Sequence, residues 1–296
     1  MPPAPSASRV AFLRRIRVAR RREIAAAASL RAAAGWLGLA VLVALAAPAC
    51  RAPAPAGSGG ELLVHAAASL TDALAEVAAA HERATGERVL VSAGASNQVA
   101  RQVAAGAPGD ILFTADEASM DVAQLAGAID PATRRVLLSN RLVVVVRSDA
   151  LPVIARLADL AHPQIRSVAM ADPLAVPAGL YARERLERAG LWPAVAPKVL
   201  PVENVRAVVA AVASGSADAG LAYVTDIVAS PAVRAACDVP EGGARPITYP
   251  VAVLAASERP ERARAFLGFL ASAGARRVFE RHGFLVEPDI DAGAQP

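Results

Sequence analysis

Leu62-Leu63-Val64-His65-Ala66-Ala67-Ala68-Ser69-Leu70-Thr71-Asp72-Ala73-Leu74-Ala75-Glu76-Val77-Ala78 carries a change of period within one stretch. Leu62–Ala67 is an apolar run of strand length. From Leu70 onward the apolar positions Leu70, Ala73, Leu74, Val77 and Ala78 recur at i, i+3, i+4, i+7 and i+8, the stripe of a helix packed on one face. Ser69 stands at the junction with Asp72 three positions on, which reads as a capping box opening that helix. Gly86 stops it, and Arg88–Ser92 follows as a strand. Strand, turn of small residues, helix, strand is the grammar of an α/β fold.

The grammar repeats outward from there. Gln98–Ala105 reads as a helix closed by Gly106, and Ile111–Thr114 as a strand. Leu142–Val146 is an almost unbroken β-branched run, as expected of a strand buried on both faces. Val168–Ala171 is a strand, Gly179–Ala189 a helix stopped by Gly190, and Val205–Ala213 a helix. Leu221–Tyr223 and Thr248–Leu254 are strands, and Pro260–Ala271 with Ala275–Arg281 closes the pattern in helix. No repeat period is visible.

The 296 residues are enough for two medium domains. The formal charge of +4 is unevenly spread: Met1–Cys50 holds eight arginines against Glu23, leaving 23 basic and 26 acidic residues elsewhere. A body of that balance has no basic face for phosphates, so a nucleic-acid partner is excluded. Residues 1–50 read as an export signal: Arg14 to Arg22 precede the apolar run Trp36–Ala47, which is shorter than the ~20 residues of a spanning helix. The run ends in Ala47-Pro48-Ala49-Cys50, a small-x-small cleavage pattern, whereas Arg21-Arg22-Glu23-Ile24 is a poor twin-arginine match. Cys50 occupies the place of a lipoprotein cysteine, with simple cleavage as the other reading. A Cys50–Cys237 disulfide is disfavoured, because residues 51–60, rich in Pro, Ala, Gly and Ser, form a loose linker.

Four helix starts share one feature. Ala68-Ser69, Ala95-Ser96-Asn97, Pro177-Ala178-Gly179 and Glu203-Asn204-Val205 are small-residue turns. A helix N-terminus exposes unpaired amides and partial positive charge, and small side chains let a ligand reach that backbone. Each turn alone is an ordinary cap; four converging would bind an anion without any lysine or arginine.

Ordered blocks then carry a resemblance. Ala66-Ala67-Ala68-Ser69-Leu70-Thr71-Asp72-Ala73, Ala100-Arg101-Gln102, Gly106-Ala107-Pro108-Gly109-Asp110 and Ala115-Asp116-Glu117 with Met120-Asp121 resemble, in sequence order, the periplasmic molybdate-binding proteins. Asp172-Pro173, Val176-Pro177-Ala178-Gly179-Leu180-Tyr181-Ala182, Glu203-Asn204-Val205-Arg206, Tyr249-Pro250-Val251-Ala252-Val253 and Phe279-Glu280-Arg281-His282-Gly283-Phe284 continue it, from about Glu61 to about Val286. The resemblance implies a two-lobed α/β periplasmic-binding-protein fold of type II with the ligand cleft between the lobes. Lobe 1 would comprise 61–141 plus 247–292, and lobe 2 142–246. It implies a protein, monomeric and outside the cytoplasmic membrane, that captures molybdate or tungstate and delivers it to an ABC permease and its ATPase, with no cofactor. By the same resemblance Ser69, Ser96 and Tyr223 give hydroxyls to the anion, and Ala178 and Val205 give amides. The second turn reads Gly94-Ala95-Ser96-Asn97 where family members often have a run of serines, so Ser96 is the match and Asn97 is left without a role.

Rival readings are weaker. Ser69 and Ser96 lie in no Gly-x-Ser-x-Gly elbow, and no histidine is placed by sequence to activate either, which argues against an enzyme. His65, His81, His162 and His282 have no metal-ligand spacing. Tyr181, Tyr223 and Tyr249 are far apart in sequence, unlike the neighbouring tyrosines a ferric-iron binder wants. An adhesion or scaffold module would show repeats or long polar surfaces. A binder of sulfate or another small oxyanion is the nearest alternative.

Overall fold

In the computed structural model, residues 60–150, 154–228 and 230–286 are described. The expected export signal 1–50, most of the linker 51–60, Cys50 and the tail of lobe 1 beyond residue 286 lie outside them. The described strands, in chain order, are β1 (Leu62–Ala67), β2 (Val89–Gly94), β3 (Ile111–Phe113), β4 (Arg135–Ser139), β5 (Leu142–Arg147), β6 (Val168–Ala171), β7 (Val199–Val202), β8 (Ala219–Tyr223), β9 (Val233–Asp238), β10 (Thr248–Val253) and β11 (Leu285–Val286). The helices are α1 (Thr71–Thr85), α2 (Ser96–Ala104), α3 (Glu117–Leu125), α4 (Pro177–Arg188), α5 (Trp192–Val195), α6 (Val205–Ala213), α7 (Val224–Val228), α8 (Pro260–Leu270) and α9 (Ala273–Arg281).

These strands form two open mixed sheets, ordered β11-β4-β10-β3-β1-β2 and β7-β6-β8-β5-β9. In the first, β1 runs parallel to β2 and β3, while β10 returns antiparallel between β3 and β4. In the second, β6 is parallel to β7 and β8, and β5 is antiparallel to β8 and β9. The chain leaves the first sheet after β4, completes the second, and returns in β10, so each sheet with its helices makes one lobe. Central strands carry the core: Leu142–Val146 and all of β6 and β8 are buried. Such double-sided burial is why those segments read as continuous apolar runs.

The opening stretch departs from expectation in one respect. Leu62–Ala67 is the first strand, but Ala68–Leu70 is a separate 3-10 turn, and α1 begins at Thr71 without a side-chain cap. Thr71 Oγ1 instead donates to the Ala68 carbonyl at 2.7 Å, and Asp72 turns outward to Arg206. The capping box is therefore corrected: Ser69 and Asp72 both have partners in distant parts of the chain. Gly86 ends α1 at φ 74°, a left-handed conformation that glycine adopts without strain. Helices α2 and α4 begin two residues earlier than their patterns suggest, at Ser96 and Pro177.

Candidate functional site

Strand order brings the four small-residue turns together. β1 feeds the Ala68–Leu70 turn and β2 feeds α2, side by side in the first sheet; β6 and β7 feed α4 and α6 in the second. Parallel neighbours release their helices at the same sheet edge, the usual place for a ligand in α/β folds. Ser69, Ser96, Ala178, Val205 and Tyr223 all line one cavity, with Ala68, Ala95 and Ala115 among their neighbours. It is small, about 20 Å³, the room of one compact species. No lysine, arginine, histidine, aspartate or glutamate lines it.

Ser96 and Tyr223 are held in a way that leaves a hydroxyl proton to give. Ser96, at the first turn of α2, accepts the Ala115 amide proton on Oγ at 2.9 Å. Asn140 Nδ2 donates to the Tyr249 hydroxyl at 3.1 Å, and that phenol shares a hydrogen bond of 2.9 Å with Ser69 Oγ in which either hydroxyl can be the donor. Ser96 thus acts as an acceptor inside the protein and its own O–H remains for another acceptor, and the same holds for Ser69 when the Tyr249 phenol is the donor. The Tyr223 hydroxyl is buried and has no partner among the described residues. Burial, reinforced by Tyr249, raises the Tyr223 phenol well above its ordinary value, so it stays a proton donor. Burial raises Tyr249 too.

Backbone geometry supplies the rest. Ala178 and Val205 lie in the first turns of α4 and α6, where amides lack intrahelical acceptors. Asn204 caps α6 by accepting the Ala207 amide proton at 3.1 Å, which spares the earlier amides. Gly179 lets α4 start this close to β6: a Cβ there would sit 2.1 Å from the Ala171 carbonyl oxygen.

Arg206 adjoins Val205 but does not line the cavity. Its Nε donates to the Ala68 carbonyl at 3.0 Å and its guanidinium pairs with Asp72. This ion pair joins α6 of the second lobe to α1 of the first. Sequence reasoning missed Tyr249 and Asn140, which orient Ser69. Tyr249 sits inside a quoted motif, but nothing in its spacing places it 2.9 Å from a serine 180 positions away.

Separation in sequence does not keep the tyrosines apart in the fold. Tyr223 and Tyr249 are distant in sequence, yet their rings meet edge to face with centroids 6.2 Å apart. What disfavours a ferric site is their chemistry: both phenols are raised by burial, and Tyr249 is committed to Ser69 and Asn140. The histidines have other partners, His65 with the Pro108 carbonyl, His81 with Glu87 and His282 with Glu76. A wider groove of about 700 Å³ lies at the opposite end of the second sheet, beside Arg147, Asp149 and Arg234. Arg147 is paired with Asp149 there, and Arg234 donates to the Ala150 carbonyl.

The family model of bacterial extracellular solute-binding proteins matches residues 62–285. The chain is 36% identical over 232 residues to the molybdate-binding protein ModA of Escherichia coli (strain K12), covering 77% of this chain and 90% of that protein. The substrate binding domain of a putative molybdenum ABC transporter from Clostridium difficile superposes with a TM-score of 0.63 at 30% identity, over 77% of this chain and 99% of that one. The Azotobacter vinelandii periplasmic molybdate-binding protein shares the fold, with a TM-score of 0.71 at 24% identity over 77% and 100% of the two chains. The two-lobed α/β architecture is that of type II periplasmic binding proteins. With a family model spanning almost every described residue and a relative of that identity and coverage, the chain belongs to the bacterial extracellular solute-binding proteins, in the family of the molybdate-binding proteins.

Proposed function

We propose that this chain captures molybdate outside the cytoplasmic membrane and delivers it to an ABC permease and its ATPase. The observation that carries the reading is the cavity itself, where the hydroxyl-bearing Ser69, Ser96 and Tyr223 meet the first-turn residues Ala178 and Val205, with no cation among the described lining residues. A tetrahedral dianion loses its hydration shell on entry, a large cost. Hydrogen bonds to a charged group return roughly 1.5–3 kcal/mol each, so about half a dozen aimed donors offset it. A site of donors without a carboxylate acceptor suits a fully deprotonated oxyanion and leaves the proton of a phosphate unmatched.

Tungstate, of like charge and shape, binds in the same way. The protein works as a monomeric binding module with no catalytic step: the neighbours of Ser69 Oγ and Ser96 Oγ are a phenol and an amide, neither of them a base. Lobe 1 takes 61–141 with 247–292, and lobe 2 takes 142–246. Cys50 becomes the first mature residue, either free or lipid-anchored. Sulfate is the second reading, because it too is a dianion without protons and asks for the same donors.

Calorimetric titration with molybdate, tungstate, sulfate and phosphate tests the reading. Molybdate and tungstate are expected at one per chain, with sulfate and phosphate far weaker. Sulfate binding as tightly as molybdate would replace the molybdate reading with a general oxyanion carrier.

A further inference from the structure

Behind the anion cavity lies a carboxylate that the binding scheme does not use. Asp226 stands on α7, directly after β8, and is 5% exposed. One oxygen, Oδ2, accepts the Tyr223 backbone N–H at 3.1 Å; the other, Oδ1, is buried without a hydrogen-bond partner. A carboxylate in that setting is disfavoured as an anion, since its second oxygen is buried with no hydrogen-bond donor among the described residues. The same tyrosine whose amide holds Asp226 sends its hydroxyl into the cavity. A dianion there is a side chain's length from Asp226, across protein of low polarizability, where like charges repel strongly.

We infer that Asp226 is a proton-linked positioning residue: capture of the oxyanion draws one proton from solvent onto the Asp226 carboxyl, so that uptake of ligand and uptake of a proton are coupled. The inference rests on the oxyanion reading of the cavity. Its logic is linkage: a ligand that disfavours the charged form of a group raises that group's proton affinity, and the proton must strengthen the ligand equally.

The groups around Asp226 support this. Arg206 on α6 favours its charge, but that guanidinium is committed to Asp72, whose own charge opposes it. The phenols of Tyr223 and Tyr249 stay neutral donors, and Asn140 and Thr225, bonded to each other at 3.1 Å, are uncharged. On the turn packed against Thr225, His282 is bonded to Glu76. Burial is the largest influence and lifts the Asp226 carboxyl to about 7, so the free protein is part-charged near neutral pH.

The test is calorimetry of molybdate binding in two non-oxyanion buffers of different ionisation enthalpy, whose difference counts protons directly. Uptake is expected to be a substantial fraction of a proton per molybdate at pH 8 and almost none at pH 5.5, with the Kd rising above pH 7 by at most about tenfold per pH unit. Asp226→Asn should remove the uptake and flatten the pH profile, while His282→Gln should keep both. Molybdate binding to the wild type at pH 8 without proton uptake would overturn the inference, and so would unchanged uptake in Asp226→Asn. The wild-type counts at the two pH values decide the matter even if the asparagine variant does not fold. Failure of molybdate to bind at any pH would instead remove the oxyanion reading, and this inference with it.

Discussion

Replacing Tyr223 by phenylalanine should move stability and affinity in opposite directions. The ring is fully buried and meets Tyr249 edge to face, a contact that phenylalanine keeps. Only the hydroxyl is lost, and among the described residues that hydroxyl has no partner. An unpaired buried polar group costs roughly 1–3 kcal/mol, so the ligand-free protein should lose nothing and gain up to that amount where the group is shielded from water. At about 2–4 °C per kcal/mol for a domain of 150–250 residues, the expected change in Tm is a rise of up to several degrees. Molybdate loses one hydrogen bond to a charged acceptor, about 1.5–3 kcal/mol, or roughly ten- to more than a hundred-fold in Kd. Ser96→Ala is the contrast. It also removes a ligand bond, but it orphans the Ala115 amide, so its Tm should fall. Scanning calorimetry without ligand and titration calorimetry at one salt concentration read both numbers. A Tyr223→Phe protein that melts lower yet binds molybdate as before would refute the neutral-donor mechanism.

Two further outcomes follow from the same geometry. Arg206→Ala should weaken binding less than Ser96→Ala, because the Arg206–Asp72 pair is 40% and 41% exposed and such pairs contribute about 0–1 kcal/mol; abolished binding in Arg206→Ala with intact binding in Ser96→Ala would mean that an ion pair holds the ligand. Gly179→Ala drives a Cβ to within 2.1 Å of the Ala171 carbonyl oxygen, so α4 must shift from β6, with an expected loss of roughly 1–3 kcal/mol in urea unfolding and a larger relative loss of molybdate affinity; wild-type values for both would show that the close approach is not required.

How much of this was legible in the sequence depends on burial. β1, β6 and α6 were readable to the residue, because a strand buried on both faces is a plain apolar run and a one-sided helix shows its stripe. Edge and peripheral elements escaped. β9 (Val233–Asp238) and β7 (Val199–Val202) lie at the two edges of the second sheet and are only partly buried, so their sequences show neither a continuous run nor clean alternation. α3 is capped by Asp116, which accepts the Ser119 amide proton at 3.3 Å, yet it buries only Ser119, Met120 and Ala123 and gives a faint stripe. In the site, the turns were visible as runs of small residues. The hydrogen-bond partners were not: Ser69 meets Tyr249 across 180 positions, and Asn140 sets its amide on the same phenol across 109. The capping box failed for the same reason, since Asp72 found a stronger partner in Arg206 134 positions away.

Placement of charge around the cavity separates holding the anion from closing on it. A cation in the cavity would bind the dianion strongly in either lobe alone, because Coulomb attraction acts without exact geometry. Neutral donors act only over hydrogen-bond distance, so in the proposed scheme the contribution of Ser69 and Ser96 from the first lobe and of Ala178, Val205 and Tyr223 from the second would be realised together only when the lobes meet around the ion. Arg206, next to Val205, is turned to the Asp72 carboxylate and the Ala68 carbonyl of the other lobe, so it ties the two lobes together from outside the cavity. Its half-exposed ion pair is worth less than a single donor bond to the anion, so it biases closure without making the closed state hard to open. In the proposed scheme, separating the lobes would break this pair and the donor set together, leaving the ion with the two hydroxyls of the first lobe or the three donors of the second, and open to water.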